Sequence, residues 1–266
     1  MSSYLNILTI ELDIARADRA ANLTALDDAL RLMPAKTDVV VLPEMFTTGF
    51  IVDAEIASQL AEWNSGDTIR HLHRLSERTG AAFAGSFLAR TAGRIYNRAF
   101  FIEPDGTETF YDKHHLFRMG GETKTFTPGY SQAPVVRFRG WNIKLAVCYD
   151  LRFPAWCRST AAAPYDLLLV VANWPKARQS AWHTLLAARA IENESYVCGV
   201  NRRGIDCTDG IDYASDSTTL IDFKGKTLET SRHECLQFAS LSLEALNGFR
   251  EKFPAWKDAD KFSIEL

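Results

Sequence analysis

The 266-residue chain is 47% hydrophobic and 24% charged, proportions of an ordinary globular protein that exclude a disordered or collagen-like polymer. Its net charge of −3 supplies no basic field for nucleic acid, and a chain of this length buries a sizeable core without staples. The five cysteines, at 148, 157, 198, 207 and 235, are odd in number and scattered, with no C-x-x-C pair. They describe neither a disulfide framework nor a zinc site, so no metal is expected.

The opening MSSYLNILTIELDIA lacks the basic start, unbroken apolar run and small-residue cleavage site of a secretory leader, which points to a reduced, cytoplasmic protein. Residues 5–12 alternate as a strand does, and 19–32 place Leu23, Leu26 and Leu30 at helical spacing. A short buried strand, 38–42, ends at Pro43. A second helix runs from Asp67, read as its N-cap, to Gly80. Strands follow at 81–88 and 98–103, with 107–111 returning across the Pro104-Asp105-Gly106 turn. Residues 135–138 and 143–147 form another pair. The strand at 166–172 holds the longest apolar run, far short of the roughly 20 residues that span a bilayer, so no membrane partner is expected. A long helix over 178–194 and strands at 196–200 and 217–222 complete the pattern. Apolar strands alternating with helices, mixed with hairpins, predict an α/β protein with large sheets covered by helices. No linker or repeat interrupts the chain, so residues 1–266 read as one domain. In the tail, 246–266, Phe249, Phe253, Trp256 and Phe262 either cover the body or meet a neighbouring subunit.

Three reactive residues stand at strand ends. Cys148 closes IKLAVC, and the Leu151-Arg152-Phe153-Pro154 that follows leads into a predicted helix, an arrangement like a nucleophile elbow. A helix N-terminus there would lower the thiol pKa. Taken alone, Cys148 reads as a small buried hydrophobe, as most free cysteines are. Glu44 follows DVVVLP, where a carboxylate is costly unless paired or working, and Lys113 follows the 107–111 strand. Separately these are a solvent-facing acid and a turn lysine; three coincident placements point to chemistry. A glutamate base, a lysine for a developing oxyanion and a cysteine nucleophile suffice for acyl transfer from nitrogen.

The segments VVVLPEMFTTGF (39–50), YDKHHLF (111–117) and LAVCYDLRFP (145–154) resemble the nitrilase superfamily of carbon–nitrogen hydrolases, from the first strand to about residue 240. The resemblance implies a four-layer α-β-β-α sandwich, assembled as a homodimer or larger homo-oligomer. It assigns Glu44 as general base, Lys113 as oxyanion lysine, Cys148 as nucleophile and Glu122 as a second glutamate, which otherwise reads as a solvent-facing loop acid. LPEMFTTGF, MGGE, YDLRFP and ANWP are most similar to the bacterial ω-amidase branch, which implies hydrolysis of the terminal amide of α-keto acid amides without a cofactor. The alternatives are another linear amide, an N-carbamoyl amine or a nitrile, or an inactive scaffold, which would need none of the three reactive side chains. A substrate carboxylate calls for a cation. Arg152 and Arg178 are the candidates, each otherwise a structural ion pair, the reading preferred for Arg178. Phe46, Phe117, Tyr149 and Trp174 are candidate pocket walls. His115 reads as support for the lysine loop, and Cys157, Cys198, Cys207 and Cys235 as packing.

Overall fold

The computed structural model describes residues 3–214 and 216–265. Its strands are β1 (Tyr4–Ile10), β2 (Val39–Val41), β3 (Ala82–Thr91), β4 (Arg94–Ile102), β5 (Glu108–Asp112), β6 (Val135–Phe138), β7 (Trp141–Val147), β8 (Leu167–Ala172), β9 (Tyr196–Asn201), β10 (Gly204–Ile205), β11 (Asp212–Tyr213), β12 (Thr219–Ile221), β13 (Ser231–His233) and β14 (Leu236–Ser242). The helices are α1 (Arg19–Leu30), α2 (Ala54–Leu60), α3 (Asp67–Thr79), α4 (Glu122–Thr125), α5 (Pro154–Cys157), α6 (Gln179–Asn193) and α7 (Leu243–Lys252).

A seven-stranded sheet runs β13-β14-β1-β2-β3-β4-β5, and a five-stranded sheet runs β12-β9-β8-β7-β6. Each has a parallel centre, β1-β2-β3 in one and β7-β8-β9 in the other, flanked by antiparallel strands. The period-2 alternation of side chains sets the layers. Val39 and Val41 of β2 join Leu167, Leu169 and Val171 of β8 in one core between the sheets. Val40 and Leu42 face the other way, onto Leu26 and Leu30 of α1 and Ile69, Leu72 and Leu75 of α3. Leu168 and Val170 turn their backs to the first sheet and pack on Trp182, Leu186 and Ala190 of α6. The order is therefore helices, sheet, sheet, helix: an α-β-β-α sandwich.

Most elements fall within a few residues of their predicted positions. The N-cap of α3 is Gly66 rather than Asp67, which is the first helical residue, and Gly80 ends the helix at φ 69°. The strand expected from 98 begins at Arg94, so Asn97 lies inside β4. The hairpin β13-β14 was not anticipated, nor were α2 and α7. In the tail, Phe249 packs on Phe223 with ring centroids 4.9 Å apart, whereas Phe253, Trp256 and Phe262 are exposed.

Candidate active site

The parallel centres place their C-terminal ends on one edge of the sandwich, the rim where α/β proteins bind ligands. Glu44 follows β2. Cys148 follows β7, and Asn173 follows β8. Lys113 follows β5, which runs antiparallel to β4 and so in the same sense as β2. Glu44 and Lys113 thus come from the larger sheet, Cys148 and Asn173 from the smaller.

Glu44, Lys113 and Glu122 are fully buried. The Lys113 ammonium donates to Glu44 Oε1 at 3.0 Å and to Glu122 Oε1 at 2.9 Å. Burial opposes the lysine's charge, but Glu122 and Glu44 outweigh it and raise its pKa above the usual lysine value. Burial raises the Glu122 pKa, against the attraction of Lys113 and with the repulsion of Glu44. Glu122 also accepts from the Phe117 backbone N–H and from Asn97 Nδ2 at 3.4 Å. It is a partner of the lysine, not a solvent-facing acid. The structure thus brings Glu122 together with Lys113 and Glu44.

Three donors orient Glu44. Besides Lys113, Asn97 Nδ2 donates to Oε1 at 2.7 Å, and the Asn173 backbone N–H donates to Oε2 at 2.7 Å. Asn173 Nδ2 returns to the Glu44 carbonyl at 3.0 Å. Neither asparagine was anticipated. Asn173 stood in a noted motif, and a buried polar residue directly after an apolar strand is the signal that marked Glu44. Asn97 offered no such signal.

Cys148 adopts φ +47°, a left-handed conformation uncommon for a residue with a side chain and characteristic of strained functional turns. Met45, next to Glu44, has the same φ. The strand, cysteine and turn match the expected elbow. The expected pKa does not follow. What succeeds Cys148 is a 3-10 turn over Cys148–Arg152 and the four-residue α5, too short to act as a strong dipole. Cys148 keeps an open edge, yet the protein around its sulfur and then the Glu44 charge push the thiol pKa well up, with Lys113 opposing. The resting group is a thiol, and it faces a carboxylate.

The remaining candidates form a collar. Tyr149 packs on Phe117 with centroids 5.1 Å apart, and the Arg178 guanidinium lies 5.1 Å from the Phe117 centroid. Trp174 Nε1 donates to the Arg178 carbonyl at 2.8 Å, and Arg152 lies 4.9 Å from the Trp174 ring. Among the described residues neither arginine makes an ion pair, so the structural-pair reading fails for both. Each guanidinium covers an aromatic face instead. Trp174 is also core, 5.3 Å from Trp182. Phe46 is not a pocket wall: it is fully buried on the helix side of the larger sheet, against Phe100. His115 stacks on Phe153 and meets Asp150, as a support would. Cys157 and Cys198 are buried as expected, Cys235 only partly, and Cys207 is exposed. Among the described residues no histidine, cysteine and acid cluster could hold a metal, and no helix is long and apolar enough to cross a membrane.

A base, an ammonium and a thiol gathered on the rim of such a sandwich define an enzyme that hydrolyses carbon–nitrogen bonds. The chain belongs to the carbon–nitrogen hydrolase family, whose model matches residues 8–250. It is 43% identical to the ω-amidase YafV of Escherichia coli strain K12, over 98% of each chain. It is 29% identical to a 2-oxoglutaramate amidase of Bacillus subtilis strain 168, over 96% of this chain and 97% of that one. In structure it matches a CN-hydrolase superfamily protein of Xanthomonas campestris with an arsenic adduct in its active site, at TM-score 0.92 and 39% identity over the whole of both chains.

Proposed function

We propose that this protein is an ω-amidase that hydrolyses the terminal amide of α-keto acid amides, such as 2-oxoglutaramate and 2-oxosuccinamate, to the dicarboxylate and ammonia. The observation that carries the chemistry is the buried Glu44–Lys113–Glu122 cluster facing the Cys148 thiol. The near full-length likeness to ω-amidases supports the substrate class.

Glu44 takes the thiol proton as the sulfur attacks the amide carbon, and the carbonyl electron pair moves onto oxygen. Lys113 and the Tyr149 backbone N–H hold that oxyanion, where one donor is worth about 2.7–4 kcal/mol of barrier. Collapse expels ammonia with the proton from Glu44 and leaves a thioester on Cys148. Water, losing its proton to Glu44, attacks the thioester; the second collapse releases the acid and returns the proton to sulfur. Glu122 keeps Lys113 charged and in place. Arg152, free of any carboxylate partner among the described residues, pairs with the substrate carboxylate, and Phe117, Tyr149 and Trp174 wall the acyl chain. Each step uses groups of this chain and water. The free thiols fit a reducing cytoplasm, and a second copy of the chain would cover Phe253, Trp256 and Phe262.

The test is a survey of ammonia release across keto-acid amides, uncharged aliphatic amides, N-carbamoyl amines and nitriles, with Cys148→Ala alongside. Turnover is expected for 2-oxoglutaramate and little for nitriles, with no acyl adduct on Cys148→Ala by mass spectrometry. Nitrile hydrolysis without keto-acid amide turnover would overturn the substrate class. An adduct persisting in Cys148→Ala would move the nucleophile elsewhere.

A further inference from the structure

We propose that Asp150 is a positioning residue: its carboxylate ties the strand end carrying Cys148 to the loop carrying Lys113, and so sets the distance between sulfur and ammonium. The inference rests on the roles proposed above for those two side chains. Asp150 is fully buried. Its Oδ2 accepts from the Val147 backbone N–H at 3.1 Å and from the Tyr111 hydroxyl at 2.8 Å. Its Oδ1 accepts from the His115 backbone N–H at 3.0 Å and lies 2.9 Å from His115 Nδ1. Val147 immediately precedes the nucleophile, while Tyr111 and His115 bracket Lys113.

A carboxylate that only capped its own turn would need the Val147 bond alone. The other contacts reach 35 and 39 residues back along the chain, from the smaller sheet to the larger. The roughly four lone-pair sites of the carboxylate are all engaged. The Tyr111 hydroxyl extends the tie, accepting from Trp156 Nε1 at 2.8 Å and from the His114 backbone N–H at 3.2 Å. Asp150 touches neither the sulfur nor the ammonium; it acts through the backbone that carries each.

The consequence is electrostatic as well as geometric. Glu44, Lys113 and Glu122 are the charged groups acting on the thiol, and Lys113 is the one that lowers its pKa. Around Asp150 stand His115, Tyr111, Lys144 and Cys157. A Lys113 loop released from the elbow would leave the thiol harder to ionise.

Asp150→Asn preserves shape and turns one acceptor into a donor facing other donors. Its kcat for ammonia release is expected to fall about 10²-fold with KM within about twofold, the cost of a misplaced reacting group. The pH midpoint of Cys148 alkylation by iodoacetamide, read by peptide mass spectrometry, is expected to rise. Tyr111→Phe removes one tie and is measured in the same way, with about a tenfold fall in kcat expected; it decides the matter if Asp150→Asn does not fold. A variant that melts lower while keeping the wild-type kcat per folded molecule and the wild-type alkylation midpoint would overturn the positioning role. Ammonia release that persists in Cys148→Ala would instead overturn the catalytic roles beneath it.

Discussion

Glu44 and Cys148 sit against one another in a way that fixes the state in which the enzyme waits. Burial and then the Glu44 charge hold the sulfur protonated, so the nucleophile is made during attack rather than stored as a thiolate. Thiolate absorbance near 240 nm, taken as wild type minus Cys148→Ala, should be absent at pH 7. It should appear only above the free-thiol value of about 8.5. Glu44→Gln removes a negative neighbour, and its midpoint should move down while ammonia release is lost. A midpoint that rises in Glu44→Gln would contradict this electrostatic assignment. At this scale the reactive residues were legible because each stands at a strand end, Glu44 and Cys148 after apolar runs and Lys113 after β5. Their holders were not. Asn97 is 53 residues from the carboxylate it orients, and Asp150 lies 35 and 39 residues from the side of the site it ties to its own. The sign of the thiol shift was also hidden, since it depends first on burial in the folded chain and then on a carboxylate more than a hundred residues away in sequence.

Among the elements, the loops after β2 and β8 are held by polar side chains that replace missing strand partners. Asn201, at the end of β9, accepts from the Trp174 N–H at 2.7 Å and donates to its carbonyl at 2.8 Å. It also donates to Ser217 Oγ at 2.8 Å. Asn201→Ala strands buried groups at each end, which costs about 1–3 kcal/mol per unsatisfied group. Its urea midpoint should fall, and turnover should drop with it as Trp174 and Arg152 lose their seat. An unchanged midpoint would show that water replaces the amide at no cost. The central strands were readable because two buried faces demand near-continuous valine and leucine, as in VVV of β2 and LLLVVA of β8. Strand β14 escaped notice because its apolar positions are interrupted by Gln237, a buried polar residue, and Ser240. Helix α7 overlaps the start of the aromatic tail and buries Leu246, a single buried position that makes a weak helical pattern.

For the whole molecule, the layer between the two sheets is what joins the two halves of the site. Leu169 is fully buried there, among side chains of both sheets. Leu169→Ala should cost about 2–5 kcal/mol, seen as a lowered melting temperature in calorimetry, with activity per folded molecule largely kept. A stability loss well under 1 kcal/mol would mean that the sheets close over the cavity. The four-layer order itself was reached through resemblance, because periodicity reveals that a strand is buried on both faces without revealing what buries it. Composition left open how two sheets meet.

The base and the cation arrive on one half of the sandwich and the sulfur on the other, so neither half possesses the chemistry. A nascent polypeptide that has emerged only through β5 already carries Glu44 and Lys113 but is inert towards any amide it meets. Reactivity switches on when the halves stack, late in maturation. In a refolding time course, ammonia production should therefore return after far-ultraviolet ellipticity has recovered.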